Sequence, residues 1–307
     1  EGKKQFIFMK FLKLYTVICF LFTAQASFGQ TTYDWLSSAP DGNWKRGASG
    51  AARWNPGGLW DNPTSGTGAI LRFNNNTFTT MTNNVSGTYI IHKIIFGSSA
   101  TSSRTIGGNA VQFFEFGSTW PRIQNDATNT THTINFPITA SSNSGFNMEL
   151  ASYSGALIFG GTINNNGRVI QIYGDTTARD AINRYVRLGG IVSGSGALNV
   201  SQFGVVKLNA AHTYSGQTQI DNGELWIESS GSNSSTSGTF VGNGGQLSNV
   251  AKLWLSNSSG GTNYTNNITI SNGNANTRIV GGLNTSGTHI FSGNITNNSG
   301  NFTLSAF

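Results

Sequence analysis

Residues 189–200 read Gly189-Gly190-Ile191-Val192-Ser193-Gly194-Ser195-Gly196-Ala197-Leu198-Asn199-Val200, and residues 204–225 read Gly204-Val205-Val206-Lys207-Leu208-Asn209-Ala210-Ala211-His212-Thr213-Tyr214-Ser215-Gly216-Gln217-Thr218-Gln219-Ile220-Asp221-Asn222-Gly223-Glu224-Leu225. Apolar residues come here in short packets, each closed by Gly, Asn or Ser. That is the chemistry of short strands separated by turns. Ser193-Gly194-Ser195-Gly196 reads as a turn and Gly216 as another. Gly223 admits a tight bend before Leu225 points inward, and Tyr214 covers the edge of a coil.

The same grammar extends in both directions. Period-2 alternation recurs in Tyr89-Ile90-Ile91-His92-Lys93-Ile94-Ile95-Phe96, in Arg168-Val169-Ile170-Gln171-Ile172-Tyr173 and in Glu224-Leu225-Trp226-Ile227. Beyond the leader described below, no stretch holds a helical period over three turns. The nearest is Thr176 to Leu188, which reads as one short helix or a charged loop. Phe159-Gly160-Gly161-Thr162-Ile163-Asn164-Asn165-Asn166-Gly167 is echoed by Phe291-Ser292-Gly293-Asn294-Ile295-Thr296-Asn297-Asn298-Ser299-Gly300, a loose repeat with irregular spacing.

A loosely repeated all-β chain predicts a right-handed parallel β-helix. Ile, Val, Leu and Phe point inward, and Gly and Asn make the turns. Asn suits them because it tolerates left-handed backbone and stacks in ladders. At about 20 to 25 residues per coil, roughly a dozen coils are expected. Antiparallel β-sandwich repeats alternate in the same way and are the competing fold. The five prolines end at Pro137, which leaves the second half free of residues that break a ladder. Residues 30–70 carry Trp35, Trp44, Trp54 and Trp60 and read as an N-terminal cap with the first coils, because a solenoid needs an atypical end unit. Residues 71–307 read as the repeats, truncated at Phe307 in mid-repeat.

Composition narrows the class. Only 10% of the residues are charged and 11% are aromatic, with 40 Gly, so charge-driven disorder is not expected. The formal charge is +6, but Lys3, Lys4, Lys10 and Lys13 belong to the first thirteen residues. No basic stripe of the kind nucleic acid needs follows them. Residues 1–29 read as a signal peptide with extra N-terminal residues. Met9-Lys10-Phe11-Leu12-Lys13 is its basic start, Leu14 to Ala24 its apolar run, and Ala24-Gln25-Ala26 or Ser27-Phe28-Gly29 its cleavage region. The run is too short to span a bilayer, and no other span is expected. Cys19, the one cysteine, lies within it. The exported chain must therefore hold itself by ladders and packing, without disulfides.

The quoted stretch resembles the autotransporter-associated β-strand repeat, also called the passenger-associated transport repeat. That family's phrase is close to G-S-G-x-L, then A-x-T-Y-S-G-x-T-x-I-x-x-G-x-L. Gly194, Gly196, Leu198, Tyr214, Ser215, Gly216, Thr218, Gly223 and Leu225 carry the match, which covers about forty residues. Asn43-Trp44, Trp54-Asn55, Leu59-Trp60 and Ala69-Ile70-Leu71-Arg72-Phe73 are similar, more loosely, to the start of such passengers. The leader's ending, Ser27-Phe28-Gly29-Gln30, is similar to signal peptides of Bacteroidetes. The resemblance implies a surface-displayed, adhesin-like stalk on the bacterial outer membrane, with the secretion machinery as a partner during export. Glycans or surface proteins of host or neighbouring cells are the implied ligands.

The search for chemistry returns little. His92, His132, His212 and His289 lie far apart and in no metal-ligand spacing, and no metal or other cofactor is expected. The densest charge cluster holds Asp175, Arg179, Asp180 and Arg184. Asp175 and Asp180 have the residue types for a carboxylate pair in glycoside hydrolysis, and Arg179 or Arg184 for an anionic sugar. A β-helical polysaccharide lyase or glycoside hydrolase is thus the alternative to a non-enzymatic stalk.

Overall fold

The structure is a computed structural model that describes residues 29–45, 53–55, 66, 68–141, 145–174, 183–229, 238–242, 250–257, 261–271, 277–283, 287–298 and 301–306. The chain divides into two compact units, Glu1–Gln30 and Thr31–Phe307. The expected signal peptide lies outside the described residues except for Gly29. Strands are the only regular secondary structure among the described residues, and no helix is long and apolar enough to cross a membrane.

The second unit is a parallel β-helix. Its chain visits three sheets in turn. The first circuit runs from Ala69–Phe73 in sheet A to Thr80–Asn83 in sheet B and Tyr89–Ile91 in sheet C; Lys93–Phe96 then returns to sheet A. Sheet A has twelve strands, sheet B ten and sheet C five. Every pairing between successive coils is parallel, for example Leu150↔Ile172 and Leu208↔Ile227. Among the described residues, sequential hairpin pairing, on which the sandwich alternative depends, is confined to Thr31–Trp35 with Trp54–Asn55 and to the bridge Phe116↔Thr119. Among the described residues, ten strands of sheet A, Ala69–Phe73 to Ile295–Asn297, mark ten coils, with Thr31–Trp35 stacked on the first of them. The coils are longer than expected because their turns vary. Paired Leu198 and Thr218 are 20 residues apart (218 − 198), whereas paired Lys93 and Arg122 are 29 apart (122 − 93).

Alternation puts apolar columns inside each long sheet. In sheet A, Leu71, Ile94, Ile123, Leu150, Ile172, Val200, Ile220, Val241 and Ile270 follow one another in register and are all buried. Burying each contributes about 1.5–3 kcal/mol, and a one-residue slip would turn the whole column outward. Sheet B has the matching column Ile106, Ile134, Phe159, Leu188, Leu208, Ile227 and Leu255.

At the first coils the core turns aromatic. Trp35 and Trp54 meet edge to face at 5.0 Å, Phe73 stacks on Phe96 at 5.5 Å, and the Trp54 indole donates to the Trp44 carbonyl at 3.0 Å. Thr31–Trp35 covers the strand Ala69–Phe73 in parallel register, and Trp54–Asn55 then adds the antiparallel edge. At the other end, Ile290, Ile295 and Leu304 are 49%, 38% and 65% exposed.

Candidate functional site

The repeat-motif residues lie in the walls of the coils. Gly194 has φ +105°, which only glycine adopts freely. Gly196 and Gly216 are needed for a different reason: neither has positive φ. A Cβ on Gly196 would stand 1.9 Å from the Arg168 carbonyl oxygen, and one on Gly216 would stand 2.4 Å from the Gly196 backbone. Asn165 closes this seam. Its amide nitrogen donates to the Gly196 carbonyl, and its oxygen accepts the Gly196 N–H, both at 2.9 Å. Gly223 sits within the strand Gly223–Ile227, where a Cβ would meet the Gly204 carbonyl oxygen at 2.3 Å. Leu198 and Leu225 are buried in the core, and Ser215 is exposed, its backbone N–H donating to Gly194. Tyr214 and Thr218 are buried and bonded to each other, so Tyr214 fills the interior rather than covering an edge.

Of the expected charge cluster, Asp175, Arg179 and Asp180 lie outside the described residues. Arg184 is half-buried and immediately precedes Tyr185.

The histidines have local roles. A backbone N–H of the preceding coil donates to Nδ1 of His132, His212 and His289, from Arg104, Val192 and Thr262 at 3.2, 3.0 and 3.1 Å. An accepting Nδ1 requires a neutral ring. Burial pushes His132 down to about 3 and His212 to about 4. No group of three His, Cys, Asp or Glu among the described residues is placed to hold a metal.

The side chains that converge on one surface were not singled out by the sequence. They project from the outer face of sheet B. Arg187, Lys207, Trp226 and Trp254 stand in register on four successive strands. Val205, Glu224 and Lys252 form the neighbouring column. Lys207 holds its ammonium 4.1 Å from the Tyr185 ring centre and 5.1 Å from that of Trp226, within cation–π range. Arg187 pairs with Glu228 at 2.9 Å.

Glu224 organises this face. Its Oε2 accepts the indole N–H of Trp226 at 3.1 Å and that of Trp254 at 3.3 Å, while Oε1 pairs with Lys252 at 2.8 Å. Trp254 is only 4% exposed and lies against Gly281, whose Cβ would meet its ring at 2.8 Å. Tyr185, Lys207 and Trp226 remain half-exposed above this fixed layer. The arrangement is a rigid platform of aromatic faces and cations.

No family model, curated protein or solved structure matches the chain.

A signal for the platform does exist in the sequence. Glu224-Leu225-Trp226-Ile227 recurs as Lys252-Leu253-Trp254-Leu255, 28 residues on (252 − 224), and the two segments pair position for position.

A second outward group lies on sheet A, where Glu149 pairs with Arg122. Burial, with Glu149 adding to it, pushes the nearby Tyr173 phenol up to about 12. The phenol therefore stays protonated at neutral pH beside the ion pair.

Proposed function

We propose that the chain is an exported, cell-surface β-helical stalk of the autotransporter-passenger kind, adhesin-like in role, that binds extracellular glycans through the outer face of sheet B. The platform of Tyr185, Lys207 and Trp226 carries this reading. Aromatic rings offer flat apolar faces to the C–H face of a sugar, and the cations beside them serve its hydroxyls. Glu224 fixes the indoles in advance, which lowers the ordering cost of binding.

Export is supported by the basic start and short apolar run of the leader, and the passenger-type role by the Tyr214-Ser215-Gly216-x-Thr218 phrase. Secretion machinery is then a partner in transit, and a glycan or glycosylated surface protein is the partner outside. Binding is preferred to hydrolysis at this face because its carboxylates, Glu224 and Glu228, are tied to Lys252 and Arg187. A glycosidase needs one carboxyl held protonated beside a second one.

A glycan array probed with the purified chain and with Trp226→Ala tests the reading. Signals that depend on Trp226 support it. An array without signals sinks it, and release of reducing ends from a polysaccharide would point to the enzymatic alternative.

A further inference from the structure

The cations of the sheet B face are engaged within the protein. Arg187 pairs with Glu228 at 2.9 Å and Lys252 with Glu224 at 2.8 Å. Lys207 lays its ammonium against two rings, 4.1 Å from the Tyr185 centre and 5.1 Å from the Trp226 centre. Arg187 also lies over the Tyr185 ring, at 5.7 Å. An anionic ligand would have to draw a cation away from one of these partners. Taking Arg187 or Lys252 would leave the carboxylate of Glu228 or Glu224 facing a second anion, and like charges brought together at an interface count against that ligand. Glu224 cannot swing aside without giving up the indole N–H bonds that it accepts from Trp226 and Trp254.

What the face offers outward is therefore ring surface, with N–H donors beside it, on the half-exposed Tyr185 and Trp226. Tyr185 immediately precedes the strand Val186–Leu188. Trp226 belongs to Gly223–Ile227, two strands further along the sheet, with Gly204–Leu208 between them. Neighbouring strands lie about 4.8 Å apart, so the two residues stand about 10 Å apart across the strands. A ligand that touches both rings must run across the strands, and a single sugar ring is shorter than that path. A pyranose with equatorial hydroxyls shows an apolar C–H face on every unit, which suits aromatic surface met more than once.

Resting on the glycan-binding reading above, we infer that the platform takes an uncharged linear glycan of at least two sugar units, laid across the strands from Tyr185 to Trp226. The rings supply the affinity through apolar contact, and the donors beside them set the orientation of the hydroxyls. Charge on the sugar works against binding here.

Calorimetric titration of the whole chain with three oligosaccharide series, from monosaccharide to hexasaccharide, tests this. One series is neutral and β-linked, one uronic and one sulfated. The neutral series is expected to bind most tightly, with affinity rising until both rings are spanned and then levelling off. Its affinity should change by less than about twofold between low and high salt, since no ion pair forms. Trp226→Ala and Tyr185→Ala should each weaken neutral binding by about tenfold or more. The length and salt series use the unaltered chain, so they decide the matter however either variant folds. Acidic chains binding more tightly than neutral ones, with affinity falling as salt rises, would overturn the inference and leave glycan binding intact. So would a neutral monosaccharide that binds as tightly as the longer chains. Full neutral binding by both variants would overturn it by placing the site elsewhere. No binding in any series would overturn both readings.

Discussion

The hydroxyl of Tyr214 lies 2.6 Å from that of Thr218, and both side chains are buried. Thr218 occupies a column that is otherwise largely aliphatic, between Leu198 and Thr239. Thr239 is served in the same way, at 2.5 Å, by Tyr264. Two hydroxyls inside a β-helix are thus satisfied by two phenols, and burial holds the Tyr214 phenol protonated well above its ordinary range.

This pairing sets the first prediction. Tyr214→Phe leaves a buried hydroxyl short of a partner and should destabilise the fold by about 1–3 kcal/mol. Thr218→Val alone should cost a similar amount. The double variant should cost less than the sum of the two, because the bond they share is lost only once. Urea unfolding of the four proteins measures the coupling, and strict additivity would show that the bond contributes nothing.

The glycine seam gives a second, signed prediction. Gly196→Ala would drive a methyl into the Arg168 backbone and should destabilise by about 1–3 kcal/mol or more. Gly107 has nothing within 4 Å of a Cβ and no positive φ, so Gly107→Ala should be neutral or stabilise by up to about 1 kcal/mol. Thermal melting of both variants separates a requirement for closeness from a general dislike of substituting glycine.

The sequence reading reached the coils through alternation and through the Gly and Asn turns, because those are local properties. Asn166, at φ +49°, with Gly167 behind it is such a turn. Apart from the recurrence of Glu224–Ile227 at Lys252–Leu255, the site leaves no local mark, because Lys207, Trp226 and Trp254 become neighbours only once coils of unequal length fix which strand lies on which. The charge cluster was chosen for its density along the chain, which says nothing about register. Coil length is hidden for the same reason: insertions such as the one between Lys93 and Arg122 leave no mark on the alternation.

Glu224 carries the third prediction. Glu224→Ala removes the acceptor shared by Trp226 and Trp254 and leaves the Lys252 ammonium without that carboxylate. A loss of about 1–3 kcal/mol is expected, together with a shift in tryptophan fluorescence and weaker glycan binding. Glu224→Gln keeps an acceptor and should retain more of all three. Identical losses in both variants would mean that charge, and not the shared hydrogen bonds, organises the face.

Acid should unfold the β-helix earlier than its few carboxylates would suggest. His92 and His212 are held down to about 4 and His132 to about 3, mainly by burial. In the unfolded chain they titrate near the ordinary value of about 6.5. Between those values the unfolded state binds more protons, so stability falls as pH falls. Above about pH 6.5 both states are neutral and these groups contribute no slope. From there down to about pH 4, each histidine should remove on the order of 1 kcal/mol per pH unit. Unfolding midpoints should therefore be flat from pH 8 to 7 and drop steeply below pH 6. His212→Gln, which keeps an acceptor for the Val192 N–H without titrating, should flatten the slope by about one histidine's share. An unchanged slope would mean that His212 already carries its proton in the folded chain.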